Sequence, residues 1–560
     1  MELAKINIYS VSSGYLRFIP VTLFLLSFLL ISCADQKVPD KQRAYLTPET
    51  LCGTVQFSDG CSPKLDTLIA FGIALIHHMT YEDAEYTFNQ VIELDKDCFW
   101  GYWGKAMTYI HPLWPDVPDS ALLEKGYLVS QNALSLAKTK KEKLYGAALA
   151  SFYEDGLNKS KQARLEAFKN GWMTAREELP EDIEARMFSV LTMLATVSPY
   201  DKSYNVQREA GETAEKVLEI IPDHPAGFHY AIHAYDVPLL SGNAIRVAKN
   251  YYKIAPELPH ALHMPTHIFT RLGYWDESIE LNSRSAVAAL KYPVGDQISG
   301  HYFHALDYLA YAYLQISELE KAKNIVAVLD TLGGTYQPVA ATAYCLAAVP
   351  GRVLLEEQMW SEAANLSLNI HSNFPWNKFP QYEALIYYAK GIGAGRSGNI
   401  AIAQQSYQKL EELQKTFKDS ESNKYWINQI EIQKKVVKAW ELFAQNEMEK
   451  SLMMMISAAD LEDASEKNPV TPGQLLPARE MLGDLLLEMN KPKEALKQYE
   501  LTLEINPNRL NALYGAGKSA ELIGDKEKAV FYFTALLKNK KSTEPNNERI
   551  AHAVEVTTKI

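Results

Sequence analysis

The sequence predicts an all-α solenoid, and two observations carry that expectation: a period of 34 residues, and a set of small and aromatic residues that recurs with it. Both are clearest near the C-terminus. Gly483, Ala495 and Tyr499, with Pro507 beyond them, recur 34 residues on as Gly517, Ala529 and Phe533. Gly72, Ala84 and Phe88 carry the same spacing near the start, and Gly391, Ala403 and Tyr407 carry it again. Small residues belong where two antiparallel helices cross, and proline belongs at the exit of the hairpin. These are the marks of a tetratricopeptide repeat. The expected fold is a stack of such helical hairpins coiled into a right-handed superhelix.

Taken in order, the chain opens with two basic residues, Lys5 and Arg17, ahead of the apolar run FIPVTLFLLSFLLIS from Phe18. The run has the length of a signal-peptide core and is too short for a comfortable membrane span. It ends in Leu30-Ile31-Ser32-Cys33, which resembles the bacterial lipoprotein box, where the peptide is cut before a cysteine that is then acylated. Residues 1–32 are therefore expected to be a lipoprotein signal peptide, Cys33 the lipidation site, and 33–62 a polar tether. The mature protein would sit in a bacterial cell envelope, held to a membrane by its lipid.

Hairpins are expected over 63–459, with loops at 112–120, 197–206, 290–300 and 460–475. The last of these, with its KNPVTPGQ, reads as a linker before a C-terminal repeat pair at 476–541 and a polar tail at 542–560. Gly393-x-Gly395-x-x-Gly398 superficially matches a dinucleotide loop. It follows a helical pattern rather than a strand, so it reads as the turn of a repeat.

Charge and cysteine narrow the partners. The net charge is −12, both signs are interspersed, and no basic stripe exists, which argues against nucleic acid. Four cysteines follow Cys33 in what would be an oxidising compartment. Cys61 stands just before the first helix and Cys98 just after the second. In an antiparallel hairpin those ends lie side by side, so these two are expected to form a disulfide. Cys52 with Cys61 is the competing pair, and Cys345 is expected to stay a buried thiol.

Eight of the 13 histidines fall between His224 and His304. Counting back from Ala244 and Ser278, which hold the alanine position of consecutive repeats, aligns His229 with His263 and His233 with His267. From Ala322 the same count puts Asp307 level with the first pair and Tyr311 level with the second, with His304 one turn before. From Ala363 it puts Arg352 at the second position. Histidines four apart share a helix face. They can chelate one ion as in the H-x-x-x-H part of metalloprotease helices, although the glutamate of that motif is missing here. His229, His233, His263, His267, His304 and Asp307 are thus the candidate ligands of a divalent transition metal in the concave groove of 224–307. Asp236, His260, Tyr311 and Arg352 would line it, and Pro265 would kink its helix. The competing reading is a histidine-lined pocket for an anionic or hydroxylated ligand, titrating near neutral pH. His77 and His111 read as packing or capping residues, and Trp100, Tyr102, Trp103 and Trp114 as core.

A wider resemblance rests on LCGTVQFSDGCSP, IALIHHMTYEDAEYTF, YWGKAMTYIHPLWP, HYAIHAYDVP, HALHMPTHIFTRLGYWDES and HALDYLAYAYLQ. From about Leu51 into the 360s these segments resemble one large bacterial family of tetratricopeptide-repeat proteins, HALHMPTHIFTRLG being its most specific phrase. The resemblance implies a helical solenoid, exported in many members, and implies no reaction. Its motifs match here at His111, His229, His233, Asp236, His260, His263, His267, His304 and Asp307. Where this chain reads HHM, members often read HSF, so His78 looks incidental. Three functions follow. The first is an envelope lipoprotein that binds a protein or small-molecule ligand in its groove or scaffolds a complex. The second is a metal-dependent enzyme using His229, His233, His263 and His267. The third is a glycan-binding outer-membrane lipoprotein.

Overall fold

The computed structural model describes residues 45–559 apart from 59–60, 368–370, 372, 419–422 and 540–546. The expected signal peptide, Cys33 and the start of the tether lie outside the described residues. Among those described, no helix is long and apolar enough to cross a membrane.

Each helix packs on the next along the chain, from Pro63–His77 against Tyr81–Leu94 to Lys526–Asn539 against Glu548–Thr558. First helices of successive hairpins also touch, as Gly300–Gln315 does Ala340–Glu356. A lone hairpin cannot cover its apolar face, so each repeat completes the core of its neighbour. The recurring small residues make that packing possible. A Cβ on Gly72, Gly483 or Gly517 would lie 2.6, 2.8 or 2.6 Å from ring atoms of Phe88, Tyr499 or Phe533 respectively. Ala84, Ala244, Ser278, Ala322, Ala363, Ala403, Ala495 and Ala529 are all buried. Gly393 and Gly395 lie within the helix Pro380–Arg396, against Trp360 and Trp440, and Gly398 takes φ +79° in the turn after it. The expected turn is thus confined to Gly398, with the other two glycines at the end of the helix before it. The chain is an all-α solenoid of tetratricopeptide type.

The four stretches expected as loops are non-helical over most of their length, and Gln297–Ile298 pairs in parallel with Thr335–Tyr336. Cys61 and Cys98 are joined by a disulfide with Cα atoms 5.8 Å apart, while Cys52 and Cys345 are free and buried.

Three boundaries differ from expectation. The folded part begins well before residue 63. Leu46 and Cys52 are buried, and the Leu46 amide donates to Asp83 (3.1 Å). Thr54 donates to the Asp223 carboxylate (2.7 Å), and Gly53, at φ +74°, passes so close to the Asp223 carbonyl that a Cβ would meet it at 2.3 Å. These residues cover the open side of the first repeats. At the other end, 548–558 is no tail but a helix, Glu548–Thr558, with Ile550 and Ala553 buried and Arg549 paired to Glu357 (2.8 Å). A terminal repeat has a neighbour on one side only, and this helix supplies the other.

The third difference matters most. The helix Met448–Asp463 is followed by a segment that folds back into the groove instead of linking two bodies. The Glu466 amide donates to the Pro199 carbonyl (2.8 Å), and its carboxylate accepts from Lys202 and Tyr204 (2.6 Å each). Thr471 bonds Tyr344 (2.6 Å), and Arg352 donates to the carbonyl of Gln474 (2.7 Å). The C-terminal repeats then bond back to the middle of the chain. Trp275 donates to the Asn508 carbonyl (3.1 Å), and buried Arg509 bridges Glu356 (2.8 Å) and Glu480 (2.7 Å).

Candidate metal centre

The site is built by three helices that run side by side. The first is Pro225–Tyr235, whose N1 proline is pre-set for a helix start. The second runs from Pro259 to Leu272 and is kinked rather than ended at Pro265, since Met264 keeps helical angles (φ −53°, ψ −40°). Proline has no N–H to give the Ala261 carbonyl; past the kink the His267 amide donates to the Met264 carbonyl (3.1 Å), and the Thr266 hydroxyl donates to the His263 carbonyl (2.7 Å). The third is Gly300–Gln315.

Side chains from these helices gather into two triads. His229, His233 and His260 form one, and His263, His267 and His304 the other; within each, one ring nitrogen per residue lies within 4.8 Å of the others. The closest pairs are His229 Nε2 with His260 Nε2 at 3.1 Å and His263 Nε2 with His267 Nε2 at 3.0 Å.

This differs from the expected ligand set in a regular way. His260, expected to line the groove, belongs to a triad. Asp307 and Tyr311, expected level with the histidines, do not reach them; His304 and Tyr308 take those places, their rings 4.1 Å from His263 and 5.2 Å from His267. In each case the facing residue is three positions earlier than the repeat count predicts. Adjacent helices are therefore offset along their axes by about one turn, roughly 4.5 Å. Asp307 instead lies 3.5 Å from Arg352, and Tyr311 bonds Arg509 (3.3 Å), so these residues hold the inserted segment and the C-terminal repeats.

The Nδ1 atoms are just as specific. His229 Nδ1 meets the His77 carbonyl at 2.5 Å, His263 Nδ1 meets Asn282 Oδ1 at 2.7 Å, and His267 Nδ1 meets the Asp236 carboxylate at 2.9 Å. Each partner is an acceptor. The Asn282 amide is oriented by its Nδ2, which donates to the Ser278 carbonyl (2.8 Å) and so leaves the oxygen facing His263. A histidine that donates from Nδ1 presents a bare lone pair at Nε2.

Burial, reinforced by the neighbouring histidines, holds His229, His260, His263 and His304 well below the usual histidine range. His233 is pushed down to about 3 by burial and His267, and burial lowers His267 despite its bond to Asp236. The imidazoles are neutral at neutral pH, which corrects the expectation of a pocket that titrates there. Burial alone would raise the Asp236 carboxyl, but Lys467, Arg271 and His267 together hold it well below the carboxylate range.

One cavity of about 70 Å³ borders both triads, touching His233 and His260 on one side and His267 and His304 on the other. Trp114 and His301 close one wall, and Pro469 and Val470 of the inserted segment another. Three further histidines stand behind the site. His77 and His224 share Glu184 (2.6 and 3.0 Å), and His78 bonds the Cys52 carbonyl (2.9 Å). Sequence patterning offered no sign of Asn282, Glu184 or Lys467, because their roles depend on which helices become neighbours.

Fold and site together define a tetratricopeptide-type solenoid with a buried histidine centre. No protein-family model matches the chain, and no curated protein matches it. Among solved structures it is similar to yeast Tom70, at 12% identity and TM-score 0.33 over 89% of this chain and 96% of that one. It is also similar to the APC/C hetero-tetramer Cut9–Hcn1, at 12% identity and TM-score 0.31 over 89% and 96%. A tetratricopeptide repeat protein from Parabacteroides merdae ATCC 43184 aligns at 14% identity and TM-score 0.25, over 64% of this chain and all of its own.

Proposed function

We propose that this chain is a bacterial cell-envelope lipoprotein of the family marked by HALHMPTHIFTRLG, a binding protein whose solenoid holds a transition metal on its histidines. One arrangement carries the metal. Asn282 and Asp236 take the Nδ1 protons of His263 and His267, and the two bare Nε2 lone pairs then face each other at 3.0 Å. Two neutral acceptors at that distance repel. A cation between them turns the repulsion into coordination, and burial disfavours a proton in that place. Two donors each about 2.0–2.1 Å from one ion lie roughly 3 Å apart, which is the spacing seen.

The test is elemental analysis of the untagged protein, with at least one equivalent of a first-row transition metal expected. Asp236→Asn, which weakens the hold on the His267 tautomer, should lower affinity by about 10–100-fold. A metal-free protein whose melting temperature does not respond to added zinc, copper, iron or nickel would refute the reading.

Attachment to the membrane is supported by the Leu30–Cys33 box after its apolar run. Cys33→Ser should move the protein out of the membrane fraction, and its persistence there after a high-salt wash would count against lipidation.

A further inference from the structure

We infer that the core is a dinuclear centre, in which His229, His233 and His260 hold one metal ion, His263, His267 and His304 hold a second, and a small ligand bridges them in the shared cavity. The inference rests on the metal reading above and adds to it a second ion, a nuclearity and a ligand site.

The first triad repeats one feature of the second and lacks another, since no acceptor holds the Nδ1 proton of His260. His229 is fixed by the His77 carbonyl as His263 is by Asn282, and its Nε2 stands 3.1 Å from that of His260. Two of its nitrogens are further marked. His233 Nε2 and His260 Nδ1 are buried with no hydrogen-bond partner among the described residues. An unpaired buried polar atom is costly, and His233 Nε2, which belongs to the group with His229 and His260, has a natural use as a ligand.

The two triads are close to each other. The rings of His233 and His267 are 6.2 Å apart, as are His260 and His263 at 6.4 Å. His260, His263 and His267 also share one kinked helix, so neither triad can shift alone. Three protein ligands per ion leave a coordination position open, and both triads open onto the same cavity of about 70 Å³. That volume suits a ligand of one to three heavy atoms, such as hydroxide, a diatomic molecule or azide.

The ligand set points to copper. Neither triad contains a carboxylate, and Asp236 reaches the second only through His267. Six neutral imidazoles leave two dications to Asp236 behind His267 and to Glu82 and Asp116 on the cavity wall, and a pair of cuprous ions halves that charge. Imidazole and thioether suit copper, and Met264, fully buried, lines the cavity between the triads.

The experiment is copper titration of the metal-free full-length chain, read by copper count, by electron paramagnetic resonance of the cupric form and by azide binding. Two coppers per chain are expected, with most of the cupric signal lost through coupling of ions about 3.5–4 Å apart, and one azide bound per pair. His260→Ala and His304→Ala should each leave one copper with a full mononuclear signal. If either variant fails to fold, the wild-type count and signal decide. One copper with a full signal, lost in His304→Ala and kept in His260→Ala, would overturn the dinuclear centre and leave the single-metal reading standing. Two uncoupled coppers, or one azide per copper, would also overturn it. No copper at all would overturn the copper centre and leave the single-metal reading to the zinc, iron and nickel test above.

Discussion

Asp307 is a carboxyl enclosed by protein beside Arg352, and its two oxygens have no hydrogen-bond partner among the described residues. Burial pushes its pKa up to about 6 from 3.8, against the pull of the guanidinium. Within that window the folded chain holds a proton that the unfolded chain has released, so stability falls as pH rises from 3.8 to about 6 and is level beyond. Asp307→Asn removes this slope. It also removes the counter-ion of Arg352, so the useful measure is the pH dependence of the difference. The melting temperature of the variant relative to wild type should rise between about pH 4.5 and pH 7. A difference that stays constant between the two would show that Asp307 ionises in the fold as readily as in the unfolded chain.

At the scale of helices and loops, some of the molecule was legible in advance and some was not. The hairpins could be read because their marks are local: Gly72 with Phe88, Gly483 with Tyr499 and Gly517 with Phe533 each lie within a single repeat. The Cys61–Cys98 pairing belongs to the same class, since one hairpin brings those ends together. The histidine centre was half legible. The pairs at four-residue spacing were visible as helix faces, but the grouping into triads depends on an axial offset between neighbouring helices, and no residue spacing encodes that offset. This is why His260 was placed with the groove wall and Asp307 with the ligands. The sequence marks 460–475 as a loop and the helices leave 464–477 between them, yet a Pro- and Gly-containing stretch carries no mark of where it will lie. The capping helix Glu548–Thr558 was read as tail because its apolar face is short, Ile550 and Ala553 being its buried apolar residues.

At the scale of the whole molecule, the contacts that matter are those that skip repeats. An open solenoid has stability that adds up repeat by repeat, and its ends fray first. Here Arg509 joins Glu480 beside it in the C-terminal pair to Glu356, and all three are buried. Removing one member of such a set strands the others, at about 3–5 kcal/mol. Arg509→Met should therefore lower the melting temperature of the whole chain in a single calorimetric transition. A separate early transition confined to the last repeats, with the remainder melting as before, would show that the closing contacts do not couple the ends.

The inserted segment also bears on how long an ion stays. Pro469 and Val470 wall the cavity, and Lys467 stands 3.7 Å from Asp236 behind the histidines. An ion held on the triads would meet its surroundings past this cover and along the part-exposed His233 and His304. How long such an ion stayed would then depend on the motion of residues 464–477 as much as on the ligands themselves.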